Sequence, residues 1–151
     1  MTIIKKLFFI VLLFTLGNCG YEPMYLKKES INTKIQSFQL EGNKSINKRI
    51  VSSLSIKNQG KTNGYKLVIK SNKSLETVAK NAAGDDTIYK TTITAMVSIM
   101  DGNKILKNKN FIADFTYNNK ENKFDLSQYQ KEIEENLINK IIEKIYIFLI
   151  F

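Results

Sequence analysis

At 151 residues with one cysteine and no histidine, the chain is one modest domain without the side chains for a histidine- or cysteine-built metal site or a histidine-centred nucleophilic triad. Its formal charge of +9 favours anionic partners such as phosphate, lipid headgroups or nucleic acid. That charge rests on lysine in a chain also rich in asparagine and isoleucine, with Arg49 the only arginine. Compositional bias therefore explains it as readily as a binding role does.

The N-terminus carries the first strong signal. Lys5 and Lys6 form a positive n-region, and Leu7 through Leu16 an apolar h-region, the order of a secretory signal peptide. The apolar run is about ten residues, where a membrane-spanning helix needs roughly twenty. It ends in Leu16-Gly17-Asn18-Cys19-Gly20, which places the only cysteine where cleavage is expected. This stretch resembles the bacterial lipobox, in which the cysteine is acylated and becomes the mature N-terminus. Asn18 departs from the Gly, Ala or Ser usual before that cysteine. The alternative is a plain signal peptide followed by a buried free thiol. Gly20 in place of aspartate points to outer-membrane sorting. The expected division is residues 1–18 as lipoprotein signal peptide, 19–34 as lipid anchor and tether, and 35–151 as a single domain. Losing Lys5 and Lys6 lowers the charge by two, to +7. Nucleic acid is not expected as the partner of an exported lipoprotein, and with the cysteine used for lipid there is no intramolecular disulfide.

After the cysteine, Pro23 keeps Glu22 out of the helical region and starts an extended segment. Residues 35–40 alternate as a short strand closed by Glu41-Gly42. Asn43 to Lys57 reads as a helix, with Asn43 or Ser45 as cap and Ile46, Ile50, Val51 and Leu54 at helical spacing. Asn58 to Gly64 is a turn cluster. Tyr65, Leu67 and Ile69 alternate with Lys66, Val68 and Lys70 as a second strand, continuing in more polar form to Ala79. Ala82 to Asp86 makes a turn. Ile93, Ala95, Val97 and Ile99 then mark a third strand with Thr92, Thr94, Met96 and Ser98 on its other face. Asp101-Gly102-Asn103 is a hairpin signal, and Phe111, Ala113, Phe115 and Tyr117 form the returning strand. Ser127 to Gln130 resembles a capping box that opens a long helix with Ile133, Leu137, Ile141, Ile145 and Phe148 as its stripe. The apolar end, Ile145 to Phe151, either packs against the sheet or docks on a partner. The expected fold is α+β: a two-layer sandwich of two helices on a four-stranded, mainly antiparallel sheet.

Catalytic chemistry is sparse. The pairs Asp85-Asp86 and Glu134-Glu135 sit in a turn and on a helix face, where acids are ordinary structural residues. No Gly-rich phosphate loop is present. A Ser-Lys site stays open as a route to a periplasmic hydrolase, but the expectation is a protein that is not an enzyme and carries no cofactor or metal.

The opening Cys19-Gly20-Tyr21-Glu22-Pro23-Met24-Tyr25 resembles the Cys-Gly-aromatic-x-Pro-Leu-Tyr start of the LPS-assembly lipoproteins of the LptE family, with Met24 for the commoner leucine. The small-residue turn Ala82-Ala83-Gly84, the Ile88-Tyr89 strand entry and the Phe-rich return strand before a long helix follow the same family pattern. The resemblance implies an LptE-like domain at 35–151, in an outer-membrane, periplasm-facing lipoprotein. Such a protein plugs and helps assemble the LPS-transport β-barrel LptD, binds lipopolysaccharide and is held to the membrane through acylated Cys19. Lipopolysaccharide phosphates would meet basic residues, for which Lys66, Lys70, Lys73, Lys80 and Lys90 are the candidates; the alternative is that these are solvated lysines in a lysine-rich chain. A second reading keeps the lipoprotein but makes it a protein-binding accessory subunit of a different transporter.

Overall fold

The computed structural model describes residues 35–56 and 64–150. The signal peptide, Cys19, the tether and most of the turn cluster after the first helix lie outside them. In chain order the elements are β1 (Ile35–Gly42), α1 (Lys44–Ser53), β2 (Tyr65–Lys80), β3 (Asp86–Asp101), β4 (Lys104–Asn118) and α2 (Lys123–Ile150). The strands form one open sheet in the order β1-β2-β3-β4. β2, β3 and β4 are an antiparallel meander, and β1 lies parallel to β2 across the α1 crossover. Both helices pack on one face, giving an α+β two-layer sandwich.

Strand alternation sorts the sheet into two faces. Leu67, Ile69, Ile93, Ala95, Val97, Phe111 and Ala113 point toward the helices and are buried. They meet Ile46 and Ile50 from α1 and Leu137, Ile141 and Ile145 from α2, all essentially inaccessible to solvent. Each such aliphatic side chain contributes about 1.5–3 kcal/mol by leaving water. The end of α2 continues this contact: Ile145 and Tyr146 are buried, and Phe148 meets Phe111 edge-on at 5.7 Å between ring centroids. Ile147 and Ile150 point outward and stay exposed.

The seam between β1 and α1 is built from four residues. Gly42 has φ +82°, and a Cβ there would stand 2.0 Å from the Ser71 carbonyl oxygen. Asn43 then donates its backbone N–H to that same carbonyl at 2.9 Å, while its side chain caps α1 by accepting from Ile46 N–H at 3.1 Å. The buried Ser71 hydroxyl donates to the Asn43 carbonyl at 3.2 Å. One turn into α1, buried Asn47 donates to the Glu41 carbonyl at 2.7 Å. Backbone groups freed where the strand stops are therefore paired in place, which lets the chain reverse inside the core.

Three boundaries differ from the sequence expectation. α1 stops at Ser53, four residues before Lys57, in a Schellman motif: Ile56 N–H bonds the Val51 carbonyl and Ser55 N–H the Ser52 carbonyl. Ser55 holds the left-handed position (φ 54°) that glycine usually fills, so no glycine marks the stop. α2 begins four residues ahead of the Ser127 capping box, because Asn122 caps it by accepting from Phe124 N–H at 2.9 Å; Ser127 lies exposed within the helix. β2 continues in its polar second half to Lys80, in line with the expectation, whereas β4 begins at Lys104, seven residues ahead of Phe111. Those extensions are exposed, and pairing with β3 holds them in place of burial.

Candidate functional site

The five candidate lysines do not converge. β2 alternation and the register with β3 put Lys66 and Lys70 on the sheet face turned away from the helices, opposite Met100 and Met96. Val68 stands between them, opposite Ser98. Among the described residues neither lysine has an ion-pair partner. Lys90 shares that outer face and pairs with Asp114 of β4 at 3.4 Å. Lys73 points the other way and bonds Glu134 on α2. Lys80 sits at the base of the β2–β3 turn, 3.3 Å from Asp86. Three of the five are thus engaged by carboxylates far away in sequence or across a turn. Such partly exposed pairs are weak, so they orient these lysines without removing them from chemistry.

The outer face is the larger surface. Around Lys66 and Lys70 it carries Val68, Met96 and Met100 on β2 and β3, then Ile105 and Ile112 on β4; Met96, Ile105 and Ile112 are exposed. Thr92, Thr94 and Ser98 lie between them. Two cations beside flexible methionines can take an anionic group with an apolar body, the lysines as point charges and the methionines adapting to shape. The sequence marked the lysines; the apolar residues beside them needed the register.

The far end of the sheet holds a polar and aromatic cluster. Asn81 organises the turn, its side-chain oxygen accepting from Ala83 N–H at 3.0 Å and Asp85 N–H at 2.8 Å, with Gly84 at φ +91°. Behind it, Tyr89 donates to Asp86 at 3.4 Å, and Tyr117 shares a 3.0 Å hydrogen bond with buried Thr91. Tyr117 also meets Tyr129 of α2 edge-on at 5.7 Å. Partial burial raises the Asp86 carboxyl, but bonds from Lys80, Thr77 and Tyr89 and the charge of Lys80 outweigh it and hold the group below its ordinary value. Burial, then the adjacent Asp86 charge, pushes the Tyr89 phenol up. Neither change prepares a nucleophile at neutral pH: one group stays ionised and the other protonated. The Asp85-Asp86 pair is a turn and strand-end device, while Glu134 binds Lys73 of β2 across the layers and Glu135 binds Arg49 of α1 within the helical layer.

A feature with no sequence signal lies along β4. Between its helix-facing side and α2 runs a groove of about 480 Å³ floored by Phe115, Tyr129, Ile133 and Leu137. A second cleft, about 410 Å³, adjoins Lys109, Phe111, Ile112, Lys144 and Ile147. Among the described residues no group of His, Cys, Asp or Glu is placed to hold a metal, and no helix is long and apolar enough to cross a membrane.

Comparison with known proteins bears on the fold. No family model matches the chain, and no curated protein matches it in sequence. Solved structures do. The chain is similar to the rare lipoprotein B from Shewanella oneidensis, with a TM-score of 0.57 at 10% identity over 73% of this chain and 90% of that one. A putative lipoprotein from Caulobacter crescentus gives 0.56 at 14% identity, over 81% of this chain and 91% of that one. A minor lipoprotein from Acinetobacter baumannii gives 0.56 at 16% identity, over 73% and 87%. The two-helix, four-stranded sandwich described above is thus a fold that bacterial lipoproteins share.

Proposed function

We propose that this chain is an outer-membrane lipoprotein, acylated at Cys19, that plugs and helps assemble the LPS-transport β-barrel LptD and binds lipopolysaccharide during its insertion. The observation that carries the reading is the meeting of two independent facts. The sequence has a lipobox-like cysteine with an LptE-like opening, and the domain behind it has a fold found in bacterial lipoproteins. The role is binding, not catalysis. Acyl chains on Cys19 hold the domain at the membrane, each buried methylene contributing about 0.8 kcal/mol. The domain supplies a compact insert for the barrel lumen, and the outer sheet face supplies Lys66 and Lys70 for lipid A phosphates beside apolar surface for acyl chains.

The test is a pull-down of the tagged, membrane-extracted protein, with mass spectrometry of its partners and of its N-terminal peptide. A stoichiometric large β-barrel with acylated Cys19 supports the whole reading. Acylated Cys19 with a different partner favours the accessory-subunit alternative, and an unmodified Cys19 overturns the anchor. For the ligand, Lys66→Ser with Lys70→Ser lowers lipopolysaccharide affinity more than the same change at the paired Lys73, Lys80 and Lys90. Unchanged affinity in the first variant removes the outer face from the proposal.

A further inference from the structure

We propose that the free edge of β4 is a strand-docking site for an extended, acidic segment of a partner protein. β4 is the last strand of an open sheet, and over Lys104–Asn118 its outer edge pairs with none of the described residues. Natural edge strands are kept from unwanted pairing by being short, by proline, by bulges or by charged side chains, lysine above all. This one is 15 residues long and has no proline; its only register shift falls at its start, opposite Ile99 and Met100. Lys104, Lys107 and Lys109 are its remaining guard, one that repels a like-charged strand and leaves the backbone donors and acceptors open to an acidic one, as strand addition requires.

The side chains beside the edge say what would fit. Both clefts described above open along this edge, one at Lys109–Ile112 and one at Phe115. Those positions are about 20 Å apart at roughly 3.3 Å per residue, so an added strand of about seven residues passes both. The first cleft is lined by Lys109 and Lys144, with Lys107 two residues along the strand; Lys107 and Lys109 lie over the Phe148 and Phe111 rings at 5.8 and 5.7 Å. At the second, the floor is aromatic and aliphatic, and with Glu132, Glu143 and Lys140 as its charged residues it calls for an apolar side chain and not a further carboxylate. The matching segment carries carboxylates where it passes Lys107 and Lys109, and a bulky apolar side chain on the same face where it passes Phe115. The lysines also argue against a second copy of this chain. Two β4 edges laid together would set lysine-rich strands side by side, a like-charge arrangement that opposes pairing. The inference concerns the manner of protein contact and stands whether or not the partner is a β-barrel.

The probe is a synthetic ten-residue peptide alternating threonine with an inward face of three glutamates followed by two phenylalanines, offered to the full-length protein in detergent. Hydrogen exchange is expected to slow at amides within Lys104–Asn118 and not within β1. Lys107→Glu with Lys109→Glu should weaken binding at least tenfold, and a peptide with lysine for glutamate should recover it on that variant. A peptide N-methylated at alternate residues should bind at least tenfold more weakly if backbone pairing is the mode. Absence of binding, protection confined to another element, indifference to N-methylation, or self-association through β4 in sedimentation would each overturn the proposal.

Discussion

The two faces of the sheet are made by the same strands and behave as different materials. On β3, Ile93, Ala95 and Val97 have no solvent exposure, while Thr92, Thr94, Met96 and Ser98 interleave with them on a face that no second layer covers among the described residues. The first face is fixed by shape, since each side chain fills space that nothing else can fill. The second is fixed only by the backbone ladder, which leaves its side chains open to selection for contact. Alternate residues of one strand thereby either fill the core or stay open to contact.

That contrast can be broken most directly from the inner side. Ile141→Ala, at a position with no exposure, is expected to cost about 2–5 kcal/mol, read by urea denaturation. Gly42→Ala should cost more than about 2 kcal/mol, because it adds left-handed strain to a collision with the Ser71 carbonyl; near-native stability would mean that the β1–α1 seam can shift. Ser55→Gly should do the opposite, stabilising by about 0.5–1 kcal/mol by placing glycine at the positive-φ position of the Schellman motif. On the outer face, Met96→Thr is expected to stay within about 0.5 kcal/mol of the parent while changing ligand affinity. At the far end the effect shows as a pH dependence. The folded Asp86 carboxyl lies below its ordinary value of 3.8, so the unfolded chain binds its proton first. The stability it adds is complete above that unfolded value and is lost as pH falls through the lower folded one. Asp86→Asn should therefore be less stable than the parent at pH 6, with the gap closing as pH is lowered below about 3.8.

The inner face was legible because burial writes a period into the sequence. Leu67 and Ile69, Ile93 to Val97, Phe111 and Ala113, and the stripe from Ile133 to Ile145 all stand where alternation or helical spacing placed them. The features that escaped are those that burial does not write. Residues 104–110 are exposed throughout, so nothing in their pattern distinguishes the first half of β4 from a loop; the ladder to β3 makes it a strand. α1 ends on a serine in a glycine's conformation, and α2 starts from Asn122 while a better-looking cap five residues on, Ser127, goes unused. The carboxylate partners of Lys73 and Lys90 lie 61 and 24 positions away in the chain, beyond any local pattern. Which lysines stand free was therefore a tertiary fact, and so was the company of Lys66 and Lys70 with the outer-face methionines.

The mixed pairing of the sheet also sets an order of assembly. β2, β3 and β4 are joined by turns of five and two residues, so their ladders close over short loops and can zip as soon as the turns form. β1 joins β2 in parallel with Ile35 opposite Tyr65, a contact across thirty positions that has to wait for α1 to fold back. Contacts of that span form late and slow the whole process. The strand nearest the N-terminus is thus the last piece of the sheet to be fastened. The Gly42–Asn43–Ser71 seam is the latch that fastens it. Exchange of β1 amides ahead of those in β3 would be the visible sign of that latch opening first.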